Sequence, residues 1–109
     1  MGKASRAKGQ RGEREFAAIM ADWLGHRVVR RLGQERDEGH DLNGIEGFAV
    51  EVKRCEELRI NSWWRQTKKS AATIGQRPAL AYRRSHEPWR VMVELSAEEF
   101  ATVIRESMK

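Results

Sequence analysis

The sequence predicts an α/β domain in which a mixed β-sheet is flanked by helices. Three observations carry that prediction. Residues 48–53 alternate with the two-residue period of a strand, and residues 11–24 and 61–74 place apolar side chains at helical spacing. The elements also interleave, in the order α-β-β-β-α-β-β-α, which a sheet covered by helices satisfies. A length of 109 residues suits one compact domain.

Residues 1–10 carry Lys3, Arg6 and Lys8 among small side chains and read as a flexible basic arm; residues 11–109 read as a single domain. Arg11 to Leu24 forms the first helix, with Phe16, Ile19, Met20, Trp23 and Leu24 on one face and Gly25 as its stop. His26 to Leu32, with Val28 and Val29, reads as a strand, and Gly33 to His40 as a polar loop. Asp41-Leu42 opens a second short strand, and Asn43-Gly44 and Gly47 supply turns. In the strand Phe48 to Lys53, Phe48, Val50 and Val52 face one way and Ala49, Glu51 and Lys53 the other.

Asn61 to Ile74 forms the second helix. Trp63 or Trp64, Thr67, Ala71 and Ile74 make its packing face, and Arg65, Lys68 and Lys69 a basic side. Neighbouring helical residues diverge by about 100°, so only one tryptophan faces inward. The other stacks on a base or fills a dimer contact. Pro78 to Arg83 and Trp89 to Leu95 are two further strands. Ser96-Ala97-Glu98-Glu99 is a capping box opening a last helix with the stripe Phe100, Val103, Ile104 and Met108.

Composition narrows the function classes. The net charge of +5 favours a polyanionic partner, and nucleic acid is the commonest. A single cysteine, Cys55, excludes an internal disulfide and suits an intracellular, cytoplasmic protein. No apolar run marks a signal peptide or approaches the ~20 residues of a membrane helix. His26, His86 and Cys55 have no zinc-ligand spacing, and no histidine lies close enough in sequence to activate Cys55. His40, beside Asp41, reads as a loop residue.

One constellation carries chemistry. Glu51 and Lys53 share a strand face, so a carboxylate and an ammonium project together. A hairpin through Asn43 to Gly47 returns Asp41 beside Glu51. Two converging carboxylates, with the Val52 carbonyl as a further candidate, form an oxygen-ligand site suited to Mg²⁺. Such an ion activates water, orients a phosphodiester and neutralises developing charge. The adjacent lysine can hold the attacking water or the developing anion. Glu13 stands in the first helix just before its apolar face; complementing the helix dipole is the plain alternative reading, and Glu15 shares it.

The runs Gly9 to Phe16, Val28 to Arg31, Asp41-Leu42 and Val50-Glu51-Val52-Lys53 together resemble archaeal-type Holliday-junction resolvases and related phage nucleases of the PD-(D/E)XK superfamily. The resemblance spans roughly residues 9–95. It implies a restriction-endonuclease-like αβββαβ core, here with an extra strand and a C-terminal helix, dependence on Mg²⁺ or Mn²⁺, and a homodimer acting on DNA. It matches Glu13, Asp41 and Glu51 to metal carboxylates, Lys53 to the catalytic lysine and Gln66 to a glutamine near the scissile phosphate. DNA contacts are expected from Lys3, Arg6, Lys8, Arg11, Arg65, Lys68, Lys69 and Arg83. The sequence departs from the pattern in a longer loop before Asp41 and in His40, where the superfamily name has proline.

The expected function is therefore a metal-dependent, structure-selective DNA endonuclease, foremost a Holliday-junction resolvase. One alternative is a nuclease of the same fold acting on flaps, ends or other branched DNA. The other is a basic DNA-binding module whose carboxylates are structural.

Overall fold

The computed structural model describes residues 3–31 and 41–109, with side chains from Gly9 onward. Its elements are α1 (Lys3–Leu24), β1 (Val29–Arg30), β2 (Leu42–Asn43), β3 (Phe48–Arg54), α2 (Ile60–Thr73), β4 (Arg77–Arg83), β5 (Arg90–Val93) and α3 (Ala97–Ser107). The polar loop expected over 33–40, with His40, lies outside the described residues.

Strands β3, β4 and β5 form a mixed sheet in that order, β3 parallel to β4 and β4 antiparallel to β5. Helix α2 makes the crossover that a parallel pair requires. Strands β1 and β2 pair antiparallel, Arg30 opposite Leu42. The Asp41 amide donates to the Val50 carbonyl at 2.8 Å, so this pair continues onto the free edge of β3.

The two faces of β3 are both covered. Val50 and Val52 join Phe16, Ala17, Val28, Leu42, Ala79 and Ala81 in the core under α1. Trp63, Thr67 and Ala71 of α2 are buried on the other side, where Leu80 is fully buried. Trp63 is thus the inward tryptophan. Trp64 is half-buried, with the Lys68 ammonium 6.0 Å from its ring centroid.

Helix α1 corrects the expected boundary at residue 11. Its backbone is helical from Lys3, so most of the stretch read as a flexible arm belongs to the helix. Ala4, Arg6, Ala7 and Lys8 favour helix. Gly9 and Gly12 cost about 1 kcal/mol each relative to alanine without stopping it. The far end differs too. Phe16 is buried, but Trp23 is 79% exposed and Leu24 45%. The helical pattern predicted a common apolar face, and the last turn of that face runs past the sheet. β1 is likewise shorter than the expected strand over 26–32.

Candidate active site

Asp41 sits immediately before β2, and its position is fixed twice. Its amide bonds the Val50 carbonyl, and its Oδ2 accepts from the Val52 amide at 2.8 Å. The hairpin predicted from the sequence therefore delivers Asp41 to the edge of β3 between Glu51 and Lys53. Two glycines make the turn possible. Gly44 (φ 109°) and Gly47 (φ 83°) adopt left-handed backbone, and a side chain at Gly44 would collide with the Arg27 carbonyl. The His26 Nε2 donates to the Gly44 carbonyl at 2.7 Å, tying this turn to the segment after α1.

The N–H and C=O of one strand residue point to the same side. Since the Val52 amide faces Asp41, its carbonyl shares that open edge, while Ala49, Glu51 and Lys53 are the residues aligned for pairing with β4. Glu51 is 5% exposed and Asp41 6%. Lys53, half-buried on the same face as Glu51, makes no hydrogen bond or ion pair with a described residue.

Glu13 is 3% exposed and accepts from the Arg30 Nε at 2.7 Å. Because α1 begins at Lys3, Glu13 stands well inside the helix, beyond reach of the terminal dipole that offered its plain reading. Arg30 pairs in register with Leu42, the residue after Asp41, so β1 links the Glu13 partner to the strand that follows Asp41. The sequence analysis gave Arg30 no role. A signal was present: Arg30 lies two residues after the buried Val28, hence on the face α1 covers, where a cation needs a carboxylate.

The donor set fits a hard divalent cation. Asp41, Glu51 and the Val52 carbonyl offer oxygen atoms along one strand edge, as Mg²⁺ or Mn²⁺ prefers. In the described arrangement no three acidic, histidine or cysteine side chains are grouped closely enough to hold a metal among the described residues. The Glu13 carboxylate is engaged by the Arg30 guanidinium.

The remaining expected residues are spread out. Gln66 is exposed on α2 and makes no hydrogen bond with a described residue; Arg65, Lys68 and Lys69 are exposed on the same helix, and Arg11 on α1. The side chains of Lys3, Arg6 and Lys8 lie outside the described set. Arg83 is taken up by the protein: its Nε lies 2.9 Å from Glu15 Oε1 and its guanidinium stacks 5.6 Å from the Trp89 ring. The Trp89 Nε1 also donates to Glu15, at 2.8 Å. Glu15 is therefore a tie between α1 and the β4–β5 hairpin. Two surface hollows, of about 520 and 390 Å³, contain none of the acidic site residues.

The family model "Phage putative PDDEXK endonuclease" matches residues 4–109. The chain belongs to this family. It is a PD-(D/E)XK endonuclease in fold and family. Archaeoglobus fulgidus Hjc, a Holliday junction resolvase from an archaeal hyperthermophile, is similar in structure, with a TM-score of 0.58 and 24% identity. The match covers 82% of this chain and 78% of that one, and it shows the restriction-endonuclease-like fold. Among curated proteins none matches the chain. No helix among the described residues is long and apolar enough to cross a membrane.

Proposed function

We propose that this endonuclease is metal-dependent and acts on branched DNA, foremost as a Holliday-junction resolvase. The observation that supports the chemistry best is the Asp41 carboxylate bonded to the Val52 amide, between Glu51 and Lys53. Asp41, Glu51 and the Val52 carbonyl would hold Mg²⁺, with Mn²⁺ able to replace it and Glu13 reaching it on release from Arg30. When bound, the ion supplies an acidified water and neutralises charge on the phosphate.

The protein's own groups do the rest. The backbone of β3 holds Asp41 in place before any ligand arrives, so little reorganisation is needed. Lys53 holds the attacking water or the phosphoryl oxygen on which charge develops. Gln66 on α2 would orient the scissile phosphate. Arg11, Arg65, Lys68 and Lys69, with Lys3, Arg6 and Lys8, would contact the backbone of the DNA, which fixes register without reading sequence. The active form in this reading is a homodimer, one copy to each cut strand; the uncovered apolar surface of β5 and α3 supports it. Junction preference is supported by the resolvase named above, and cutting of flaps or ends by the same fold is the alternative.

The test is a labelled four-way junction and a matched duplex, incubated with Mg²⁺ or EDTA beside an Asp41→Asn control. Paired, symmetric nicks on the junction alone, requiring Mg²⁺ and Asp41, are the expected result. Cutting of flaps or linear DNA instead would remove the resolvase and keep the nuclease. Binding without cutting any DNA would favour the non-enzymatic module.

A further inference from the structure

Arg54 follows Lys53 on β3 and projects to the opposite face, toward α1. Its stem lies across the helix at Gly12. A Cβ placed on Gly12 would meet the Arg54 Cβ at 2.8 Å, its Cδ at 3.5 Å and its Cγ at 3.8 Å. The approach is closer than any side chain at residue 12 permits, and Gly12 is itself buried. Helix geometry gives no other reason for glycine there, since its backbone lies within α1 and glycine disfavours helix.

The guanidinium at the end of that stem has no partner among the described residues. The Arg54 Nε is buried without a hydrogen bond, and Arg54 forms no ion pair or hydrogen bond with any described residue. Its neighbours are different. Arg30 pairs with Glu13, Arg83 with Glu15, Arg84 and Arg90 with Glu87, and Arg77 with Glu99. The Nε is closed to any ligand, so the donors that Arg54 can offer outward are the terminal nitrogens of this half-buried side chain, which no described residue engages. The residues flanking Arg54 in space are Gly12, next to Glu13, and in sequence Lys53. Glu13 and Lys53 are candidate active-site residues, and Arg54 lies beside each of their positions. The ligand class that meets such an arginine beside a phosphodiester-cleaving site is a phosphate of the DNA backbone, whose oxygens match the guanidinium fork.

We propose that Arg54 is a phosphate-binding residue of this nuclease, held across α1 by the absence of a side chain at Gly12. The proposal rests on the nuclease reading. Arg54 takes a backbone phosphate next to the scissile one, on the α1 side of β3, while Lys53 serves the other side. Gly12 is a positioning residue that acts through Arg54.

The experiment measures binding of the full chain to four-way and duplex DNA in EDTA, across a salt series, so that cleavage does not enter. Arg54→Gln should bind about ten-fold more weakly, and the slope of log affinity against log salt should fall by roughly one. Arg54→Lys keeps the charge and should restore the slope while recovering only part of the affinity. Gly12→Ala should lower affinity and slope like Arg54→Gln, with a urea midpoint showing that it folds. A purely structural Arg54 would instead lower the midpoint and leave the salt slope intact, which overturns the proposal. Wild-type slope in Gly12→Ala would overturn the role given to Gly12. Wild-type protein that cuts DNA beside an Arg54→Gln variant of unchanged slope removes this inference alone; wild-type protein that neither binds nor cuts DNA removes the nuclease reading with it.

Discussion

At the scale of single residues, the site is organised by backbone hydrogen bonds more than by side-chain pairing. Asp41 is placed by the Val50 carbonyl and the Val52 amide, so replacing its carboxylate alters charge without moving the strand edge. Asp41→Asn, Glu51→Gln and Lys53→Ala should each reduce cleavage by at least about a hundredfold, the scale on which lost transition-state charge stabilisation acts. Each should leave binding in EDTA within a few-fold of wild type. Cleavage near the wild-type rate in any of the three would remove that residue from the chemistry. A second residue-scale prediction concerns Glu15. Trp89→Phe deletes the 2.8 Å bond from the indole to a half-buried carboxylate, which Arg83 still faces. The loss should be about 1–2 kcal/mol in urea unfolding, with cleavage unchanged; a larger loss would mean that the ring packing on Phe16, 5.1 Å between centroids, is also disturbed. Which residues the sequence revealed follows from range. Asp41, Glu51 and Lys53 are linked by one hairpin, so local alternation places them. Arg30 with Glu13, Gly12 with Arg54 and Glu15 with Trp89 join residues far apart in sequence, and no periodicity announces such pairs.

At the scale of elements, the local codes of α3 and β3 were readable to within about one residue. The Ser96 hydroxyl accepts from the Glu99 amide and the Glu99 carboxylate accepts from the Ser96 amide, forming the capping box its four residues spell. β3 extends only to Arg54, one residue past the expected end. By contrast, the start of α1 was misplaced because two glycines and a basic run resemble a linker. The capping box also carries a pH dependence. The Ser96 backbone bond, then the Arg77 guanidinium, hold the Glu99 carboxyl below the ordinary glutamate value. A carboxylate depressed in the folded state stabilises the fold above its unfolded pKa, and that contribution disappears as pH falls through the folded value. Glu99→Gln should therefore lower the melting temperature at neutral pH, and the gap to wild type should close in acid as pH falls through the depressed folded value. Because Glu99 faces solvent, the effect is small; a gap that widens in acid would contradict the assignment.

At the scale of the whole molecule, the apolar surface is distributed unevenly. Helix α3 has no buried residue, although an isolated helix of 11 residues is marginal in water. Phe100 is 57% exposed, and Val103, Ile104 and Met108 share its stripe. Val91 and Val93 on β5 and Leu95 after it are also exposed, and the outer edge of β5 has no partner among the described strands. Hydrophobic periodicity identified the stripe; it carried no information about what covers it. A standard protein–protein interface takes ~800 Å² from each partner, and large exposed apolar side chains are what such an interface covers. In the proposed homodimer a second copy would supply the same surface through a two-fold axis. The position is compatible with function, because the carboxylates stand at the β2–β3 edge, across the sheet from β5. Sedimentation of the full chain should show a dimer at micromolar concentration. Phe100→Asp with Val103→Asp should yield a folded monomer, since both side chains face solvent in the single chain. If the dimer serves paired cutting, this monomer should still nick DNA but lose the coordination of the two nicks on a four-way junction. A wild-type chain that sediments as a monomer throughout, yet cuts both strands in concert, would exclude a dimer through this face and require each copy to act alone.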